Sequence, residues 1–429
     1  MQLTIEKLVY GGDGLARLPP DEHGRGKAVF IPFVLEGEQV EATLLEQRPG
    51  FARGRLEEVL QASPQRIEPG CPYFRRCGGC DYQHTNYEHQ LEIKAAILKE
   101  NVRRIAKLEL IQNLQIHPSP PWNYRNRNRL KIQTSPEFAI GYHRFNSHEL
   151  LPVAECPISS PLINRAITSL WQLGHSGDVP SEFREIELFA NADDTALLVE
   201  AHCDAKPESG TTERFAHELH QVVPETAGVA YFGSHKPDQV AKPVALAGAG
   251  ELTYKTQTRP YRVSAGSFFQ VNRHLTDELV NIVTAGRSGT LALDLYAGVG
   301  LFSSVLNREF KSVIAVESSP TSHADLLYNS PTNVKPVRAT VEQYLSDVSD
   351  RVRPDLVVVD PPRSGLGDRV IVGLTKLHPL RITYVSCDPA TLSRDLGRLL
   401  QSGYAIEQAH LVDLFPQSYH LESVFHLAG

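Results

Sequence analysis

No apolar run in the chain reaches the roughly 18 residues that a membrane-spanning helix needs. The N-terminal Met-Gln-Leu-Thr-Ile-Glu-Lys has an acidic residue and no apolar core of signal-peptide length, so a cytoplasmic protein that opens on a strand is expected. Low-complexity tracts are absent. The chain also lacks a basic excess: 43 Lys and Arg face 50 Asp and Glu, a net charge of −7. That sum argues against a uniformly basic, nucleic-acid-coating protein. The distribution tempers it, because residues 51–134 hold 14 basic against 8 acidic side chains and leave a basic face available to RNA. Methionine occurs once in 429 residues, for which no physical reason is evident.

Cysteine is scarce as well, at six residues, and the six are not spread evenly. Cys71, Cys77 and Cys80 fall within ten residues, while Cys156, Cys203 and Cys387 stand alone. In a cytoplasmic chain such a cluster points to metal or catalysis before disulfides.

At 429 residues, two or three domains are expected. Residues 1–62 alternate in a β manner with glycine turns, about five short strands that suggest a small OB-type barrel. Residues 63–265 form a central region that opens on a Pro/Gly/Cys-rich stretch, followed by a helix expected over Tyr87 to Lys107. From residue 266 to 429, near-continuous apolar strands alternate with helices, the pattern of a parallel sheet covered on both faces. The expected class is therefore α/β, a Rossmann-like domain with a mixed, mainly parallel sheet, preceded by a barrel and a central α/β domain. Ligands of such sheets bind at the carboxyl ends of the strands.

Four segments there carry chemistry. Asp294-Leu-Tyr-Ala-Gly298-Val-Gly300 ends one strand and opens a helix, and Glu317 ends the next, placed to accept ribose hydroxyls. A dinucleotide fingerprint needs a third glycine where Ser303 stands, which favours S-adenosylmethionine over NAD. Asp360-Pro-Pro-Arg363 follows an apolar strand, and its prolines leave the aspartate in the crevice. Cys387 lies between a strand and a helix N-terminus, where a thiolate is expected to be stabilised. Glu422 lies among apolar neighbours that raise its pKa towards the range of a general base. Methylation at carbon 5 of uracil needs such a set, because that carbon attacks a methyl sulfonium only after a thiolate has added to carbon 6. A base must then remove the carbon-5 proton. Cys387 and Glu422 fit those two roles.

Two further segments stand outside that sheet. Cys71, Cys77, Cys80 and Cys156 form a soft ligand set for zinc or an iron–sulfur cluster, and spacing does not choose between them. Cys203 reads as core. Arg125, Arg127, Arg129 and Lys131 alternate beside Trp122 and Tyr124, a stripe suited to phosphate contact and base stacking.

Taken together, these segments resemble the RNA uracil-5 methyltransferase family over nearly the whole chain. The N-terminal barrel is similar to the family's TRAM domain, an RNA-binding module. The cysteine pattern resembles members that carry a [4Fe–4S] cluster, which turns the metal expectation from zinc to iron–sulfur. By position the resemblance implies Cys387 as nucleophile and Glu422 as base, with S-adenosylmethionine as cofactor. Ser267-Phe-Phe-Gln270-Val-Asn matches a family motif whose glutamine contacts cofactor and uracil. Tyr296, Glu317 and Asp360 would complete the cofactor site. Two positions depart from the family: Ala297 replaces a frequent Cys, and Leu301 replaces a hydrogen-bonding residue, which would weaken cofactor binding. The combination of barrel and cluster resembles members of the family that act on 23S ribosomal RNA, which the resemblance implies as partner, with a tRNA T-loop uridine as the alternative. A non-catalytic RNA-binding protein and an amino-group methylase are the readings of other classes. The latter needs no Cys387 and has an aromatic residue where Arg363 stands. The resemblance implies no obligatory protein partner, and a monomer is expected.

Overall fold

Alternating apolar positions near the N-terminus build a barrel, since period-two patterning buries one face of every strand. The computed structural model describes residues 1–20, 26–205, 208, 210–233, 243–348 and 352–429. The first strand is bent: Gln2–Thr4 pairs with Gln39–Gln47, and Lys7–Leu8 pairs with Asp13–Arg17. Counted as one strand it closes the sheet, and Ala28–Pro32 runs parallel to Phe51–Gln61. The resulting order 1-2-3-5-4-1 is that of an OB barrel, as the sequence led one to expect.

The central region is a seven-stranded sheet in the order Leu150–Pro152, Ala139–His143, Arg127–Gln133, Phe183–Ala190, Leu197–Cys203, Thr226–Phe232, Ala245–Gly248. Helices Pro161–Ser176 and Thr211–Val222 pack on it, and Cys203 is core, as expected. A two-stranded ribbon, Glu251–Lys255 with Pro260–Ser264, leads to the last domain.

There, eight strands run in the order Val334–Arg338, Phe310–Glu317, Gly289–Leu295, Leu356–Val359, Arg381–Ser386, Glu422–Ala428, Ala405–Val412, Leu114–His117. The first five are mutually parallel, and Glu422–Ala428 runs antiparallel to both of its neighbours. The strand order reverses between Gly289–Leu295 and Leu356–Val359, so a ligand crevice opens at their carboxyl ends.

One part of the chain departs from the expected boundaries. Helix Tyr87–Asn101 and strand Leu114–His117, expected in the central domain, are built into the last one. Asn86 caps the helix by accepting the His89 N–H at 2.8 Å, and a single π turn, Val102–Ala106, ends it before Lys107. Its apolar residues Ile97, Leu98 and Val102 share a core with Leu392 and Leu396 of helix Pro389–Gln401, and that shared burial draws the segment across. Among the described residues, no helix is long and apolar enough to cross a membrane.

The same helix latches the loop that precedes the antiparallel strand. Lys94 and Asp413 form an ion pair at 2.6 Å with both side chains 0 % exposed. Lys94 also donates to the Phe415 carbonyl at 2.9 Å, and the Tyr87 hydroxyl to the second Asp413 oxygen at 2.9 Å. Lys94→Ala would strand the Asp413 charge in the interior, so a loss of about 3–5 kcal/mol in denaturant unfolding is expected. The double variant Lys94→Met/Asp413→Leu should recover most of it, and a single-variant loss below about 1 kcal/mol, the value of a surface pair, would contradict a buried latch.

Candidate active site

The crevice begins at Asp294, fully buried at the end of its strand. One of its oxygens accepts the Ser303 N–H at 2.9 Å, and the other is buried without a partner. Burial and the nearby Glu317 charge push its carboxyl up to about 7. Tyr296 follows with φ of 66°, a left-handed conformation that is strained for an aromatic residue and here turns the chain away from the sheet. Gly298, at φ 55°, has nothing within 4 Å of where a Cβ would stand, so its backbone is open to a ligand. Its N–H donates to Glu317 at 2.9 Å, and the other Glu317 oxygen accepts the Ser319 N–H at 2.6 Å. An open glycine turn, an acidic pair and an orphaned carboxylate oxygen fit a nucleoside with a charged methionine tail. Leu301 and Ala297 are buried in the apolar core with Phe302, so Leu301 serves packing where a polar contact was missed.

Asp360 is half-buried just past Leu356–Val359, and burial with the Asp294 charge pushes it up to about 7. The loop after it is held by the buried Asp395, which accepts the Leu366 N–H and the Tyr384 hydroxyl at 2.8 Å each.

Cys387 and Glu422 meet through strand register. Arg381–Ser386 and Glu422–Ala428 pair antiparallel up to Ser386 opposite Ser423, so the next residues on each side are Cys387 and Glu422. Glu422 is 6 % exposed with one oxygen buried and unpartnered; burial and then the Asp360 charge push its carboxyl up. The Cys387 thiol is pushed up to about 12 by burial, Glu422 and Asp360, with Arg363 opposing. This corrects the expectation of a helix-stabilised thiolate. Asp388 caps helix Pro389–Gln401 by accepting the Ala390 and Thr391 N–H groups at 3.0 and 2.8 Å, so its carboxylate takes the donors that would have served the sulfur.

The Ser267–Asn272 segment lies at the junction of all these parts. The Ser267 hydroxyl donates to the buried Asp325 at 2.7 Å, Phe268 is exposed, and Gln270 is buried. The Asn272 amide donates to the Leu414 carbonyl at 3.1 Å and to Ser119 at 2.9 Å. The motif is thereby tied to the loop that leads to Glu422.

Cys71, Cys77, Cys80 and Cys156 line one cavity of about 260 Å³, with Arg125 and His420 in its wall. Among the described residues, no group of three or more His, Cys, Asp or Glu side chains is arranged to hold a metal ion. The basic stripe beside it differs from expectation. Arg127, Arg129 and Lys131 do share a face, but the adjacent antiparallel strand presents Glu185 and Glu187 there, and these carboxylates pair with them. Arg127 also meets Glu200 at 2.9 Å and lies 4.8 Å over the Phe189 ring. Of the four basic residues, Arg125 and Arg129 reach the cysteine cavity, and Arg129 does so while paired with Glu185.

With this geometry in place, likeness to known proteins decides the family. A profile described as tRNA (Uracil-5-)-methyltransferase matches residues 86–428, and one for the TRAM domain matches residues 1–56. The chain belongs to the tRNA (uracil-5-)-methyltransferase family. An uncharacterized RNA methyltransferase of Aquifex aeolicus is 34 % identical, covering 99 % of this chain and 97 % of its own. The 23S rRNA (uracil(1939)-C(5))-methyltransferase RlmD of Chromohalobacter salexigens is 32 % identical over 98 % of this chain and 88 % of its own. Among solved structures, the Pyrococcus abyssi tRNA (uracil-54, C5)-methyltransferase in complex with S-adenosyl-L-homocysteine matches with a TM-score of 0.77 and 24 % identity, covering 100 % of both chains. That likeness shows the fold. The family's reaction is S-adenosylmethionine-dependent methylation of uracil carbon 5 in RNA.

Sequence reasoning missed Lys94, Asp325, Asp388 as a competitor for the helix end, and Tyr10, whose hydroxyl reaches the Cys387 carbonyl. Only Asp388 had a sequence signal, as a cap residue directly before a proline. The raised thiol has a direct consequence. Without RNA, iodoacetamide alkylation of Cys387 should be slow at pH 7 and rise about tenfold per pH unit up to pH 10, because only the thiolate reacts. Mass-spectrometric rates that level off below pH 8 would contradict the burial argument.

Proposed function

We propose that Cys387 is the nucleophile and Glu422 the base in methylation of a 23S ribosomal RNA uridine. The observation that carries this reading is the register that seats a cysteine beside a buried, incompletely partnered glutamate at the end of two paired strands. The Cys387 thiol gives up its proton to solvent and its sulfur adds to carbon 6, and the electron pair of the carbon 5–carbon 6 double bond moves toward the carbon-4 oxygen as an enolate. S-adenosylmethionine would be held by Tyr296, Gly298, Glu317, Asp360 and Gln270 and would supply carbon 5 with an electrophilic methyl group, S-adenosylhomocysteine being the leaving group. Glu422 then removes the carbon-5 proton, the double bond re-forms and the Cys387 sulfur leaves. A carboxyl whose pKa burial raises is a stronger base for that proton than an exposed one. Arg363 opposes the two carboxylates and favours the thiolate.

Support for ribosomal RNA is the full-length similarity to RlmD proteins, including that of Erwinia tasmaniensis at 31 % identity over 98 % of this chain. The family description refers to tRNA, so a tRNA uridine is the second reading. The four cysteines that share one cavity support a [4Fe–4S] cluster. Each ligand of such a cluster binds a different iron, so the sulfurs surround a cavity instead of converging on one point, and the Gly78–Gly79 amides lie beside it.

Glu422→Gln should leave thiol addition and methyl transfer intact but stall release, so a denaturation-resistant protein–RNA complex should build up on gels. Wild-type-like turnover without such a complex would remove the base assignment. Anaerobically purified protein should be brown, with about four iron and four sulfide per chain. Zinc without sulfide would refute the cluster.

A further inference from the structure

The N-terminal barrel reaches the reaction centre through one side chain. Tyr10 lies on the loop between Lys7–Leu8 and Asp13–Arg17, and its hydroxyl donates to the Cys387 carbonyl at 3.2 Å across 377 residues of sequence. Strand pairing on that side of the sheet stops at Ser386, and Asp388 belongs to the helix cap. Cys387 is thus the hinge residue between strand and helix.

The Tyr10 ring is itself fixed. It meets Tyr419 edge to face, with centroids 5.4 Å apart at 86°, and Tyr419 lies 4.2 Å from the His420 ring. Tyr419 belongs to the loop that ends at Glu422, and its N–H donates to Asp81 at 3.0 Å. The barrel loop sits against that same aspartate: a Cβ on Gly12, at φ 90°, would stand 3.1 Å from Asp81. One barrel loop therefore touches both the segment that carries Cys387 and the segment that carries Glu422.

We propose that Tyr10 is a positioning residue for Cys387, and that the docked barrel orients the thiol for addition to the pyrimidine in addition to binding RNA. The proposal rests on Cys387 being the nucleophile. Tyr10→Phe removes the hydroxyl and keeps the ring against Tyr419, so folding and RNA capture stay as they are while the orientation of the thiol loosens.

The test is single-turnover adduct formation with RNA that carries 5-fluorouridine, whose fluorine cannot be removed as a proton, so the covalent complex persists. Tyr10→Phe should slow adduct formation about fivefold, the factor that one net hydrogen bond carries. KM for RNA and for S-adenosylmethionine, and the melting temperature, should stay at wild-type values, a kcat-only loss that a merely structural role would not give. Tyr10→Leu, which also removes the ring, should slow the step further. Wild-type adduct rates in Tyr10→Phe, or a loss seen only in KM for RNA, would overturn the proposal while leaving Cys387 in place. No adduct with wild-type protein would instead remove the nucleophile assignment on which it rests.

Discussion

The antiparallel register between Arg381–Ser386 and Glu422–Ala428 is the constraint on which the rest of the site depends. Parallel strands deliver their carboxyl ends to one edge, which is how Asp294, Glu317, Asp360 and Cys387 come together. Glu422 is different, because it begins its strand. Only a strand running the opposite way brings a residue at its start to the edge where its neighbours end. A slip of one residue would turn Glu422 to the opposite face of the sheet.

The long loop before Glu422 is therefore as important as the strand. Lys94 clamps Asp413 and Phe415, Asn272 holds Leu414, and the Gln90 side chain exchanges hydrogen bonds with Gln417. These partners come from the helix Tyr87–Asn101 and from the segment after the central sheet. The cysteine cavity borders the same loop through Ser418 and His420. Barrel, cysteine region and last sheet thus all touch the loop between Asp413 and Glu422.

Much of this was legible in the sequence where local pattern decides. The barrel strands followed from period two and the glycine turn from its position between strand and helix, while the chemistry of uracil singled out Cys387 and Glu422, which strand register places side by side. What the sequence did not disclose depends on partners far along the chain. The stripe of Arg127, Arg129 and Lys131 looked free for phosphate because Glu185, Glu187 and Glu200 lie more than fifty residues away. The transfer of residues 87–117 to the catalytic domain needs the apolar face of helix Pro389–Gln401, and Tyr10 needs closure of the barrel. Cys387 was misread in one respect, since a helix N-terminus stabilises a thiolate only if no nearer carboxylate caps it.

The most direct test of the central claim is to locate the covalent bond. Protein trapped on 5-fluorouridine RNA is digested with nuclease and protease, and the peptide bearing the nucleotide is sequenced by tandem mass spectrometry. Cys387 should carry the fluorinated, methylated pyrimidine. The same mass on any other residue, or an unmodified Cys387 in protein that still makes 5-methyluridine, would contradict the account.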